Sequence, residues 1–212
     1  MGYSYFHYPT SWNNSFSATV GFSRNIKELW SISLDGGTNY VVSEVTVNQL
    51  VPVPGGLLSV RRQQSNYNWG WTGTVSLNYT GEYINGGLSY SNGLSVSPGL
   101  NGAAQLNSVA LTGQYRFTYE FSSLHSISYT TYKANSSNYS SNVVQQKSLF
   151  VNNGFRYEFS REMAVEASYG YTRVSCPAST TEALNCPAST TNTVAERHVV
   201  SLSFYFQRFL FE

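Results

Sequence analysis

Between residues 69 and 79 the chain alternates strictly: Gly70, Thr72, Thr74, Ser76 and Asn78 fall on one side, and Trp69, Trp71, Gly73, Val75, Leu77 and Tyr79 on the other. A period of two puts successive side chains on opposite faces of an extended strand, so this stretch is a two-faced strand. The pattern recurs along the chain. Phe16, Ala18, Val20 and Phe22 oppose Ser15, Ser17, Thr19 and Gly21, and Val109, Leu111 and Tyr115 oppose Ala110, Thr112, Gln114 and Arg116. Met163, Val165, Ala167, Tyr169 and Tyr171 oppose Ala164, Glu166, Ser168, Gly170 and Thr172, and near the end Val200, Leu202, Phe204 and Phe206 oppose Ser201, Ser203 and Tyr205. The one segment rich in helix formers, Ile26 to Trp30, is about one turn long and too short to nucleate a helix.

The alternation predicts an all-β chain of ten strands, roughly 3–8, 15–24, 29–47, 69–80, 83–96, 107–118, 121–133, 147–159, 162–174 and 196–211. Their connections alternate in length. Short turns are expected near Asn25 to Glu28, Gly81-Glu82, Tyr119-Glu120 and Ser160 to Glu162, and long loops at 48–68, 97–106, 134–146 and 175–195. Short turns at one end and long loops at the other are the mark of an antiparallel up-and-down transmembrane β-barrel, with turns in the periplasm and loops outside. Ten strands return both termini to the turn side, as a closed even-numbered barrel requires. The first strand is short for a span of about 9 to 11 residues. The expected organisation is a single barrel domain over residues 1–212; if the chain is the C-terminal part of a larger barrel, further strands precede it.

A soluble sandwich or lipocalin-like barrel shows the same alternation with the apolar face turned inward. The kind of polar residue separates the two. A water-facing sheet relies on Lys, Glu and Arg for solubility and edge protection, whereas only 11% of this chain is charged against about 25% in ordinary soluble domains. The chain carries 32 Ser and 19 Asn, and its polar faces are built from Ser, Asn, Thr and Gly. Small uncharged groups suit a lumen, where side chains from opposite walls meet. Arg24, Lys27, Glu28, Glu82, Glu120, Glu158, Arg161, Glu162 and Arg208 cluster at the short turns. Aromatic residues crowd both strand ends, Trp30, Tyr79, Phe117, Phe121 and Tyr157 near the turns, and Trp12, Tyr40, Tyr67, Trp69, Trp71, Tyr132 and Tyr171 near the loops. Two interfacial girdles follow. The expected location is the bacterial outer membrane, with its lipid as a partner.

Other function classes lose support. Twelve basic against eleven acidic residues leave no surplus for nucleic acid. No apolar run approaches the ~20 residues of a spanning helix. Met1 to Tyr5 has no basic start and no apolar stretch, so no signal peptide is expected and the numbering starts at a mature chain or a fragment. His7, His125 and His198 lack metal spacing, and no cofactor or metal is expected. His198 beside Glu196 and Arg197 is the nearest approach to a catalytic set, but it lacks the nucleophile-base-orienter constellation, so the chain is read as non-enzymatic.

Four charges fall on polar faces: Asp35, Arg116, Arg156 and Glu166. Across the turn at Ser160, a register with residue numbers summing to about 322 sets Arg156 opposite Glu166, within cross-strand reach, and predicts a lumen ion pair that is either structural filling or a selective constriction. Cys176 and Cys186 open two copies of Cys-Pro-Ala-Ser-Thr-Thr in the last long loop. At an oxidising cell surface this pair is expected to close a local disulfide.

The runs Asn14 to Arg24, Gly87 to Gly99 and Asn107 to Leu111 carry a resemblance over nearly the whole chain to bacterial outer-membrane β-barrel proteins, in particular to barrels encoded near exopolysaccharide and exosortase systems of Gram-negative bacteria. Phe204, Phe206, Phe209 and Phe211 are similar to the aromatic last strand read by the barrel assembly machinery, although the chain ends in Glu212 and slips phase at Gln207-Arg208. The resemblance implies a non-enzymatic, porin-like narrow pore or an accessory of surface polysaccharide export, with polysaccharide or a small solute as partner. A soluble secreted protein that binds carbohydrate and an outer-membrane barrel enzyme are the alternatives.

Overall fold

The computed structural model describes residues 2–8, 11–53, 56–96, 103–134, 145–176 and 192–206. They form one ten-stranded sheet: β1 (Gly2–Tyr8), β2 (Ser11–Ile26), β3 (Trp30–Val53), β4 (Gly56–Thr80), β5 (Ile84–Val96), β6 (Ala103–Arg116), β7 (Phe121–Ala134), β8 (Gln145–Glu158), β9 (Met163–Cys176) and β10 (Thr193–Phe206). Each strand pairs antiparallel with the next, in sequence order. The expected all-β, up-and-down architecture is present.

Two expectations are corrected. Residues 48–68 are not a loop: β3 and β4 continue as one hairpin whose register runs from Trp30↔Tyr79 to Val53↔Gly56. Pro52, the adjacent Arg61 and Arg62, and the Leu57-Leu58 pair break the period-two pattern and read as loop chemistry. Pro52 is tolerated because β2 ends opposite Val45, leaving this part of β3 a free edge that needs no N–H on its other side. The hairpin extends eight residues past that point, about 25 Å. The second correction concerns closure. Among the described residues the sheet is open, with β1 bonded only to β2 and β10 only to β9. β1 is seven residues long and covers β2 only from Ser11 to Ser17, so the lower half of β2 has no partner on that side.

The pairing also sets the tilt. Measured from the short turns, the hydrogen-bonded row from Phe22 through Leu34, Val75 and Tyr129 to Arg173 climbs by close to one residue per strand. One residue of rise per strand spacing is a tilt of about 35°, as in outer-membrane barrels. At that tilt the lower aromatic pair Trp30–Tyr79, 4.8 Å between ring centroids, stands about 27 Å below the upper pair Tyr40–Trp69, 5.9 Å apart. The separation matches the apolar band of such proteins, about 25 Å tall.

Burial is inverted relative to a soluble domain. The apolar face is the exposed one: Val20, Val200, Trp71 and Phe204 are 83%, 82%, 78% and 75% exposed, whereas the buried apolar cluster among the described residues is Val41 with Leu94. A soluble sandwich would cover that face with a second layer, and the described residues form no second sheet. The exposed face is therefore the lipid face. That apolar belt places the protein in the outer membrane.

Two of the short turns close by one device. Thr118 Oγ1 accepts hydrogen bonds from the N–H groups of Glu120 and Phe121, and Ser160 Oγ accepts from those of Glu162 and Met163. In both, a hydroxyl stands two residues before a glutamate and satisfies the two N–H groups that the reversing backbone exposes. At the β2–β3 turn Lys27 takes a positive φ of 61°.

Candidate functional site

Paired residues share a face, so the register identifies what lies side by side on the polar surface. One row crosses five strands as Asn78, Gly87, Thr112, Ser126 and Asn152. The next row toward the short turns runs Thr80, Asn85, Gln114 and Leu124. Together they line a recess of about 530 Å³, within the size range of small-molecule sites. Its polar-face side chains are three Asn, one Gln, two Thr, one Ser and one Leu; Tyr79, Gly86, Gly113 and His125, which the register puts on the opposite face, also border it. No Lys, Arg, Asp or Glu lines it.

Gly87 makes the recess possible. A Cβ there would stand 2.8 Å from Asn78 Oδ1 and 3.1 Å from Thr112 Oγ1, so the missing side chain is the space into which both polar groups lean. Asn85 Oδ1 is buried and has no hydrogen-bond partner, a carbonyl oxygen held ready for a donor. On the same face several neighbouring polar groups satisfy each other, Ser33 with Ser76 at 2.6 Å, Ser15 donating to Asn39 at 2.9 Å, and Ser108 with Thr130 at 3.3 Å, whereas Ser43 Oγ and Asn68 Nδ2 toward the loop end are, like Asn85 Oδ1, buried without a partner. Toward the loop end β5 parts from β4 beyond Asn92 and leans over the polar face. The Asn39 side-chain amide donates to the Leu94 carbonyl at 2.8 Å, and Leu94 packs on Gly70, where a Cβ would meet its own at 3.2 Å.

The four charges expected on the polar face separate into a group of three and one alone. Arg116, Ser122, Arg156 and Glu166 form one row across β6 to β9, one step nearer the turns than the recess. The register Arg156↔Glu166 is present, but the Arg156 guanidinium turns to its own strand, with Nε 3.1 Å from Glu158 Oε1 and its carbon 5.4 Å from the centre of the Tyr205 ring. Glu158 and Tyr205 flank Ala164 one row lower, so both are within reach of a side chain as long as arginine. Asp35 lies apart on β3, its carboxylate over Gly21, where a Cβ would be 2.0 Å from Oδ1.

His198 lies on the lipid face near the loop end. Its Nδ1 is 2.7 Å from the Tyr169 hydroxyl, while Glu196 Oε1 accepts from Tyr171 at 3.1 Å and lies 3.7 Å from Arg173 Nε. His125 also faces outward, with Nδ1 2.8 Å from Asn153 Oδ1. Cys176 closes β9, buried and disulfide-bonded; Cys186 lies outside the described residues, as do Phe209, Phe211 and Glu212. The side chains of His7 and Trp12 also fall outside them. The amide recess was missed in the sequence because its members are scattered from residue 78 to 152. The available signal was parity: Asn78, Asn85 and Gln114 sit on polar faces within two residues of a strand end at a short turn, while Asn152, six residues from its own, joins them only through the tilt of the sheet.

No protein-family model and no curated protein matches the sequence. Solved structures do. The chain is similar to in-vitro folded OmpT, an outer membrane protein of Vibrio cholerae, at 14% identity with a TM-score of 0.51, over 95% of this chain and 62% of that one. It is similar to the outer-membrane expressed form of the same protein (TM-score 0.52, 14% identity, 95% and 63%) and to its trimer form (0.52, 15%, 95% and 63%). The likeness is one of fold, that of an outer-membrane β-barrel. The chain spans less than two thirds of the length of these structures.

Proposed function

We propose that this protein is a non-enzymatic outer-membrane barrel whose polar face lines a narrow passage for small, uncharged, hydroxyl-bearing solutes. The uncharged recess carries the reading. Side-chain amides offer donors and acceptors together, and hydroxyls offer both from one atom, which is the chemistry that replaces water around a polyol without demanding a charge. The charge row one step below supplies polarity at the turn-side mouth. A non-enzymatic role is supported by the environment of His198 and Glu196, which are engaged by Tyr169, Tyr171 and Arg173. A place in surface polysaccharide export, as a pore or as an accessory, fits the same recess, since the units of such polymers are polyols; that link rests on the sequence resemblance.

The test is solute flux through the full-length protein in phosphatidylcholine vesicles, with insertion established by a heat-dependent gel shift. Swelling in neutral sugars faster than in protein-free vesicles, and faster than in charged solutes of equal size, is the expected result. Inserted protein with swelling no faster than the protein-free control would overturn the passage.

A further inference from the structure

Charge is scarce in this chain, yet three of its twelve basic side chains gather on one patch of the lipid face. Lys133 on β7, Lys147 on β8 and Arg173 on β9 share that face, each displaced by two residues from the next: Lys133 pairs with Gln145, Lys147 with Thr131 and Ser175, and Arg173 with Leu149. Such diagonal neighbours stand about 7 to 8 Å apart. All three lie roughly thirteen residues from their short turn and are exposed. Tyr129 and Tyr171 lie four and two residues nearer the membrane centre on the same strands and face. The cations therefore sit about 5 to 11 Å beyond the aromatic girdle, at headgroup level.

Among the described residues one acid faces this patch. Glu196 lies 3.7 Å from Arg173 and accepts from Tyr171, while no acid among the described residues lies within ion-pair reach of Lys133 or Lys147. Among the described residues, three cations against one anion leave a surplus of two positive charges on this patch, where the chain as a whole has +1. Lysines that served only to keep a rim hydrated would not need to line up across three strands above a tyrosine belt; apart from Glu196, the other charges that the register puts on this face, Arg24, Glu44 and Arg61, stand away from the patch on β2 to β4.

The geometry points to a binding site for the phosphate groups of an anionic lipid in the loop-side leaflet, with Lys133, Lys147 and Arg173 as the phosphate contacts and Tyr129 and Tyr171 against the upper acyl chains. Attraction between clustered cations and anionic headgroups is additive over the charges and confined to the headgroup layer, where these three stand. The inference rests on the membrane orientation of the sheet and not on the solute passage.

The experiment compares lipid retention by native mass spectrometry on the full-length protein, folded in mixed micelles of phosphatidylcholine and a diphosphorylated glycolipid. In a parallel sample the glycolipid is replaced by its dephosphorylated form. The protein is expected to retain the diphosphorylated form at least about tenfold over the dephosphorylated one, the size two cations at an anionic surface give. Lys133→Gln with Lys147→Gln is expected to remove most of that preference, and Lys133→Arg with Lys147→Arg to keep it. Equal retention of the two forms by the unaltered protein overturns the site, as does a preference unchanged in the glutamine variant. A heat-dependent gel shift is recorded for every sample in phosphatidylcholine alone. Its absence from the unaltered protein would overturn the membrane orientation, whereas a shift without lipid preference overturns only the lipid site.

Discussion

Arg156 and Glu166 stand directly opposite each other on β8 and β9, yet the arginine forms its ion pair with Glu158 on its own strand, without a hydrogen bond from Nε, and lies over Tyr205 two strands away. Both carboxylates are therefore available to one guanidinium, and the loss of either leaves the other. Because the Arg156 and Glu158 side chains are 38% and 47% exposed, solvent screens the pair and its contribution to stability is modest. Glu158→Gln or Glu166→Gln alone is expected to lower unfolding stability by under about 1 kcal/mol. Replacing both leaves Arg116 and Arg156 without a nearby acid in their row. The reversal potential of the double variant in planar bilayers under a salt gradient is then expected to move toward anion selectivity. An unmoved potential would mean that the row does not face the conducting path.

Gly87 governs the volume of the recess. Gly87→Val places carbon where Asn78 Oδ1 and Thr112 Oγ1 now lean. Sugar flux is expected to fall severalfold while the heat-dependent gel shift is retained. Gly36→Ala is the control, since a Cβ there meets nothing within 4 Å and the position lies beside Val20 on the apolar face, away from the recess; it is expected to leave flux unchanged.

The turn hydroxyls act on stability alone. Ser160→Ala and Thr118→Val each strip two backbone N–H groups of their acceptor. Each is expected to cost about 1 kcal/mol, because turn-side water replaces part of what is lost. Urea unfolding in lipid, followed by gel shift, measures it, with solute flux unaltered by either change.

Trp69 and Trp71 are 72% and 78% exposed on the apolar face at the upper girdle. In phosphatidylcholine vesicles, chains brominated near the headgroup are expected to quench their emission more strongly than chains brominated at the methyl end. Trp69→Phe with Trp71→Phe is expected to lose more of that quenching than Trp30→Phe. Quenching only by a water-soluble agent would place this hairpin outside the bilayer.

Much of the fold was legible because a strand's period is local. Each side chain from Trp69 to Tyr79 carries the imprint of the face it occupies, and Thr118 and Ser160 mark turns by chemistry contained within four residues. Register across a short turn follows from the turn itself, which is why Arg156↔Glu166 could be counted in advance. The long β3–β4 hairpin was not legible, since Pro52 and the paired arginines break the pattern that local reading depends on and cross-strand pairing supplies what they lack. The lipid-facing cations were visible one by one, but not as a patch.

The sequence by itself determined the class of the molecule: alternation, low charge and aromatic strand ends exclude a helical chain and favour a sheet with one face for lipid and one for a polar interior over a soluble one. Tertiary structure decided everything that depends on two distant residues meeting. It left the sheet open at β1 and β10 among the described residues, turned Arg156 to Glu158 instead of Glu166, and gathered Asn78, Asn85, Gln114 and Asn152 around the space left by Gly87. The reason is physical. The pleat constrains a residue through its immediate neighbours, whereas edge pairing, the choice between two carboxylates and the making of a recess depend on strand-to-strand offsets accumulated across the whole sheet, which no single segment encodes.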